Sequence, residues 1–237
     1  MRALNMSRET ELQFVFLEGG AVQARTVNIS AMIIAGWTGR DSQAVEQHIA
    51  ELEAMGVPRP RSTPCFYRVS TDLLTTQEHI QVVGTDSSGE VEFVVLKLND
   101  GLWVGVGSDH TDRKVESYNV TVSKQLCGKP IAPKLWRYDD LKHHWDRLSL
   151  RAYRHTGTSR HLYQEGPVTT MLAPEDLMAR YAQDSSGFPL GAVMFCGTLA
   201  VVGGIQGAEA LEIEIEDPVL NRVISHRYRV ETLPNAG

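Results

Sequence analysis

Three acids set the chemistry this chain can do. Glu90 and Glu92 stand two apart, and Asp109 follows a stretch dense in apolar and β-branched residues, broken by Asn99-Asp100-Gly101. Alternate residues of a strand leave the same face roughly 7 Å apart, so Glu90 and Glu92 can grip one ion together. An Asp-Gly pair between two such runs signals a hairpin. With Asp100-Gly101 as the two-residue turn, Asp109 lies opposite Glu92; with Asn99-Asp100 it lies opposite Glu90. Either register puts three carboxylates on one face, whereas a three-residue loop sends Asp109 to the other side. Carboxylates that converge with nothing between them repel, and one of them keeps its proton. A hard divalent cation removes that penalty, and all-oxygen ligation suits Mg²⁺ or Mn²⁺, with Ca²⁺ as a further option, over Zn²⁺. The alternative is a solvated hairpin face carrying ordinary surface acids.

The elements that must position this hairpin are mostly strands with a few short helices, an α+β pattern. Residues 11–30 alternate loosely about Gly19-Gly20 and predict a hairpin, and the apolar run Ala31 to Ala35 predicts a strand ending at Gly36. From Asp41 to Met55 the apolar residues fall at helical spacing, with Asp41 or Ser42 as N-cap and Gly56 as a stop. Phe66 to Val69 and Ile80 to Val83 read as short strands. Cys127 to Trp136, with Pro130 and Pro133, reads as an irregular crossing. Tyr138 to Arg147 predicts a short helix whose adjacent His143 and His144 face different ways at the surface. Pro174 to Ala182 predicts another helix. Leu211 to Ile215 alternates strictly, so Glu212, Glu214 and Glu216 read as the solvated face of a half-buried strand, and Val223 to Val230 gives a closing strand.

Composition narrows the class. The chain has 237 residues and a formal charge of -6, which offers no basic field for nucleic acid or an anionic membrane. Cys65, Cys127 and Cys196 are widely spaced and fit no metal or disulfide pattern, so reduced thiols and a cytoplasmic location are expected. Met1 to Phe14 shows no apolar signal region. Gly187 to Ala208 is uncharged, but its glycines and Pro189 read as a buried strand running into a glycine-rich loop, not as a membrane span.

The order of these pieces resembles the fumarylacetoacetate hydrolase superfamily in its small bacterial form. The matching residues are Ile33-Ile34-Ala35-Gly36-Trp37; His48-Ile49-Ala50-Glu51 followed by Gly56-Val57-Pro58; Gly89-Glu90-Val91-Glu92; Asp109-His110-Thr111-Asp112-Arg113; Thr121-Val122-Ser123-Lys124; and Val193-Met194-Phe195-Cys196-Gly197-Thr198. The likeness covers roughly residues 31–231. It implies a mixed β-sandwich or roll of the fumarylacetoacetase C-terminal type. Residues 1–30 would then be an N-terminal hairpin extension to a single catalytic domain over 31–237.

The resemblance further implies a homodimer that acts on a small 2-oxo or β-diketo acid, with Glu90, Glu92 and Asp109 as metal ligands. Lys124 and Arg113 would meet the developing enolate and the substrate carboxylate, and Thr198 with Gly197 would help hold a carboxylate. His48 and Glu51, one helical turn apart, would deprotonate a water. The expected reaction is hydrolysis of a C–C bond. Decarboxylation or isomerisation on the same scaffold, or a non-catalytic relative that binds an acidic metabolite, are the alternatives. Lys129 rivals Lys124, Arg113 can pair with Asp112 or Glu116, and Asp112 can serve as a replacement ligand.

Overall fold

In the chain's computed structural model, residues 9–54, 59–183, 185 and 187–236 are described, and the side chains of His48 and Leu52 lie outside that description. The strands of the two larger sheets are, in chain order, β1 (Thr10–Glu18), β2 (Ala21–Ile29), β3 (Ala31–Gly36), β4 (Cys65–Val69), β5 (His79–Val83), β6 (Val91–Leu98), β7 (Gly101–Ser108), β8 (Lys134–Arg137), β9 (Ser149–Thr156), β10 (Ser159–Pro167), β11 (Ala192–Thr198), β12 (Ala210–Asp217) and β13 (Arg222–Leu233). The helices are α1 (Ser42–Ala54), α2 (Arg113–Glu116), α3 (Val120–Gln125) and α4 (Pro174–Gln183). No described helix is long and apolar enough to cross a membrane.

An eight-stranded mixed sheet runs β2-β1-β8-β7-β6-β11-β3-β4, and a five-stranded sheet runs β10-β9-β12-β13-β5. The N-terminal hairpin is the edge of the larger sheet, joined to it by the parallel pairing of β1 with β8. Its central strands read as unbroken apolar runs because both of their faces are covered. Ile33, Phe93, Val95 and Met194 pack against Leu150, Ile213 and Tyr228 of the smaller sheet. The alternate residues Ile34, Val94, Leu96 and Phe195 join Phe14, Phe16 and Trp103 in a second core on the other face. The sheet therefore curls around that second core.

Several expectations are corrected. Lys134–Arg137 is a sheet strand, paired with both β1 and β7, where an irregular crossing was expected. Tyr138 to Arg147 forms two 3-10 turns, Tyr138–Asp140 and Lys142–Arg147, and no α-helix. His144 is turned inward on Asp217 at 3.0 Å, while His143 is exposed. Glu212 is half-buried and paired, not freely solvated: His155 and Arg160 each lie 2.8 Å from its carboxylate. These partners come from β9 and β10, far away in sequence, so no local pattern announces them.

Candidate metal and substrate site

The hairpin of β6 and β7 turns at Asn99-Asp100, with Leu98 opposite Gly101 and Glu92 opposite Gly107. Of the two registers open from sequence, this is the one that sets Asp109 against Glu90, and the Asp109 N–H donates to the Glu90 carbonyl at 3.0 Å. Gly107 is required at its place, since a Cβ there would lie 2.6 Å from the Phe195 ring. Ligand atoms of Glu90, Glu92 and Asp109 all lie within 4.8 Å of one another. The three acids stand where the sheet's second face opens from core to cavity.

Each acid is held differently. Arg113 ties Glu90 at 3.1 Å and Glu116 at 2.8 Å, and its Nε donates to Ser88 Oγ at 2.7 Å. Asp109 is fully buried between two lysines, with Lys124 Nζ 2.5 Å from Oδ2 and Lys129 Nζ 3.1 Å from Oδ1. Burial alone would raise the Asp109 pKa, but the two ammonium groups outweigh it and hold the carboxyl at about 2. Glu92 forms no ion pair among the described residues and accepts one backbone N–H, from Gly197 at 2.8 Å. Its burial, then the nearby charges of Asp109 and Glu90, push its pKa well above the usual carboxylate range. Glu90 is shifted up as well, chiefly by burial.

Lys124 reaches the site from the last turn of α3, a helix whose first turn is capped by Asn119 accepting from the Val122 N–H at 3.0 Å. Burial on its own lowers a lysine pKa, because the charged form is desolvated. Burial does press it down, but Asp109 and Glu90 more than offset that, so Lys124 keeps its proton above the ordinary lysine range. Burial lowers the pKa of Lys129, which also donates to the His110 carbonyl.

On the opposite wall, β11 bulges between Phe195 and Thr198, which turns the Gly197 N–H toward Glu92. Gly197 has φ +96, and a Cβ on it would meet Thr38 Oγ1 at 1.8 Å, so no other residue fits. Thr198 donates its hydroxyl proton to the Val91 carbonyl at 2.8 Å and accepts from Gln164 Nε2 at 2.8 Å. The segment Gly36 to Asp41 closes a third side, tied to residues 170–172 by paired backbone bonds.

Together these walls enclose a cavity of about 640 Å³, lined by the three acids, Lys124, Gly197 and Thr198 among others. Arg113 is not part of the lining and sits behind Glu90. Asp112 caps α2 by accepting from the Val115 N–H at 2.9 Å and is not grouped with the acids. Glu51 is exposed on α1, accepts from Gln47 Nε2 at 3.0 Å, and does not line the cavity. The side chain of His48 lies outside the described residues.

The residue set fits a hard cation. Glu92 is buried with no ion-pair partner among the described residues, Asp109 Oδ1 meets only the Lys129 ammonium at 3.1 Å, and the donors are all carboxylate oxygens. Sequence reasoning missed the buried groups behind the acids, Ser108, His110, Gln164 and Tyr228. A polar residue closing an otherwise apolar strand, as Ser108 closes β7, was the available signal.

Over residues 35–228 the chain matches the family described as Protein of unknown function (DUF2848), and it belongs to that family. The N-terminal hairpin precedes the matched region. No curated protein matches the chain. Among solved structures, the chain is similar to a fumarylacetoacetate hydrolase family protein of yeast, with a TM-score of 0.63 at 17% identity over 88% of this chain and 95% of that one. It is also similar to 2-keto-3-deoxy-D-arabinonate dehydratase, with a TM-score of 0.64 at 15% identity over 89% of this chain and 77% of that one. The fold is that of the fumarylacetoacetate hydrolase superfamily, as the sequence resemblance implied.

Proposed function

We propose that this chain is a divalent-metal-dependent enzyme that cleaves a C–C bond in a 2-oxo or β-diketo acid. The observation that carries this reading is the meeting of Glu90, Glu92 and Asp109 within 4.8 Å at the wall of a cavity, beside a buried lysine. The names of its structural neighbours, a hydrolase family and a keto-acid dehydratase, support the same class of substrate. Mg²⁺ or Mn²⁺ held by the three acids would supply a Lewis acid for the substrate's oxygens.

The chain's own groups supply the rest. As the C–C bond breaks, its electron pair moves into the 2-oxo group as an enolate. The charged Lys124 Nζ can hydrogen-bond that oxygen and then return a proton to carbon. Arg113 offsets part of the burial that raises the Glu90 pKa, and it aims that carboxylate. Gly197 positions Glu92.

Hydrolysis also needs a base that takes a proton from water. Glu51 faces solvent, and Asp41, the remaining carboxylate of the described lining, accepts the Gln43 and Ala44 N–H bonds at 2.9 and 3.1 Å. That placement favours a second reading in which no water is split, a decarboxylation or an isomerisation. The test is pyruvate formation by Mn²⁺-loaded protein from an acylpyruvate and from oxaloacetate, each with a chelator control. Chelator-sensitive release of the free acid from the acylpyruvate supports hydrolysis. Release of CO₂ alone supports the decarboxylase form of the second reading, and no turnover of either, with Mn²⁺ bound, sinks both hydrolysis and decarboxylation.

A further inference from the structure

We propose that the substrate carries a single anionic, chelating end and that the group beyond it is uncharged and apolar. This rests on the metal-chelate reading of the site and names the class of acid it would take.

The cavity of about 640 Å³ lies within the range that holds a drug-sized ligand, far more than a three-carbon acid fills. Away from the acids its wall is made by Trp37, Ala44, Val45, Met171, Leu199 and Ala200. Among the described residues the one charge in that half is Asp41, an acid. Lys124 is the one cation lining the cavity among the described residues, and its ammonium is already on Asp109. The other two cations at the trio lie outside the lining, Arg113 fixed by Glu90, Glu116 and Ser88, and Lys129 by Asp109.

A second carboxylate on the substrate would be brought toward the like charge of Asp41, with no cation of the described lining on that side to offset it. An alkyl or aryl group would instead be removed from water against these side chains. The inferred class is acyl-bearing β-diketo acids and related monocarboxylates, in preference to diacids of the oxaloacetate type.

The experiment is calorimetric titration of Mn²⁺-loaded protein with oxamate, N-butyloxamate and N-(3-carboxypropyl)oxamate, which share one chelating end and differ in the tail. N-butyloxamate is expected to bind at least tenfold more tightly than either of the others. Val45→Lys, which places a cation on the apolar wall, is expected to reverse the order of the two tailed compounds. Binding of the carboxypropyl compound as tight as that of the butyl compound, with oxamate still bound in a metal-dependent way, overturns the apolar-tail inference alone. Absence of metal-dependent binding of oxamate itself overturns the chelate reading and this inference with it.

Discussion

Lys124 and Asp109 form a buried ion pair at 2.5 Å, with Lys129 on the other carboxylate oxygen at 3.1 Å. Two cations on one acid divide the work: Lys129 has no path to the cavity, whereas Lys124 lines it. Replacing Lys124 by Met is expected to lower turnover by about 10²–10⁴-fold, the usual worth of a placed proton donor. Metal affinity should not weaken, because Lys129 still orders Asp109. Arg at this position should not restore activity, since its planar fork cannot act as a compact proton donor. Loss of metal affinity in the Met variant would show that Lys124 builds the site without acting in it.

Glu92 is the acid without a cation, so it separates metal binding from folding. Glu92→Gln keeps the shape and the bond from Gly197 and removes the charge. In chelator the variant should melt no lower than the parent. With Mn²⁺ at ~100 times the parent's dissociation constant, the parent should gain about 2.7 kcal/mol, or roughly 5–10 °C. The variant should gain nothing. A retained metal shift would remove Glu92 from the ligand set.

The same residue fixes a pH dependence. The metal-free folded state holds Glu92 with a raised pKa, so between the ordinary carboxylate value and that raised value it binds more protons than the unfolded chain does. Its contribution to stability is therefore fully present at acidic pH and is lost as pH rises through the folded pKa. Melting in chelator should fall across that window, and Glu92→Gln should flatten the curve. Protons and metal compete for the same oxygens, so Mn²⁺ affinity should drop as pH is lowered from about 7 to 5. A metal affinity independent of pH over that range would contradict the burial of this carboxylate.

Glu212 gives the opposite sign elsewhere in the molecule. Hydrogen bonds from Arg160, with His155 adding, outweigh burial and hold its pKa at about 2. This stabilisation is present above the unfolded carboxylate pKa and is lost as pH falls through about 2. Glu212→Gln should cost about 1–3 kcal/mol at neutral pH and progressively less in acid. An equal cost at both ends of the pH range would mean that charge plays no part.

How much of this was legible follows from the range of each interaction. The acidic trio was readable because strand parity has a period of two and a tight turn fixes the rest, so Glu90, Glu92 and Asp109 needed only local rules. The cap of α1 at Asp41 and the hairpin at Gly19-Gly20 were readable for the same reason. The two lysines on Asp109, the Gln164 bond to Thr198, and the pairing of Lys134–Arg137 join segments far apart in sequence, and no local period reports such contacts. Glu51 was misleading because helical spacing predicts which residues share a face and is silent on what that face meets.

Behind the trio, Tyr228 donates to Ser108 Oγ at 2.8 Å, and Ser108 Oγ accepts the Glu90 N–H at 3.1 Å. His110 completes the layer, with Nδ1 3.1 Å from Tyr228 and Nε2 3.1 Å from Ser87. Gly89 leaves room for it, since a Cβ there would stand 2.6 Å from the Tyr228 oxygen. Burial, then the charges of Lys129 and Arg113, lowers His110 to about 3, so the ring is neutral and bonds without adding charge. Tyr228→Phe keeps the ring and leaves Ser108 and His110 short of a partner, at a cost of about 1–3 kcal/mol. For a chain of this length that is a melting point lower by roughly 3–10 °C. Because the layer fixes the strand ends that carry Glu90 and Asp109, Mn²⁺ affinity should weaken in the same variant. A lower melting point with unchanged metal affinity would confine the layer to folding, and an unchanged melting point would mean that water replaces the lost hydroxyl.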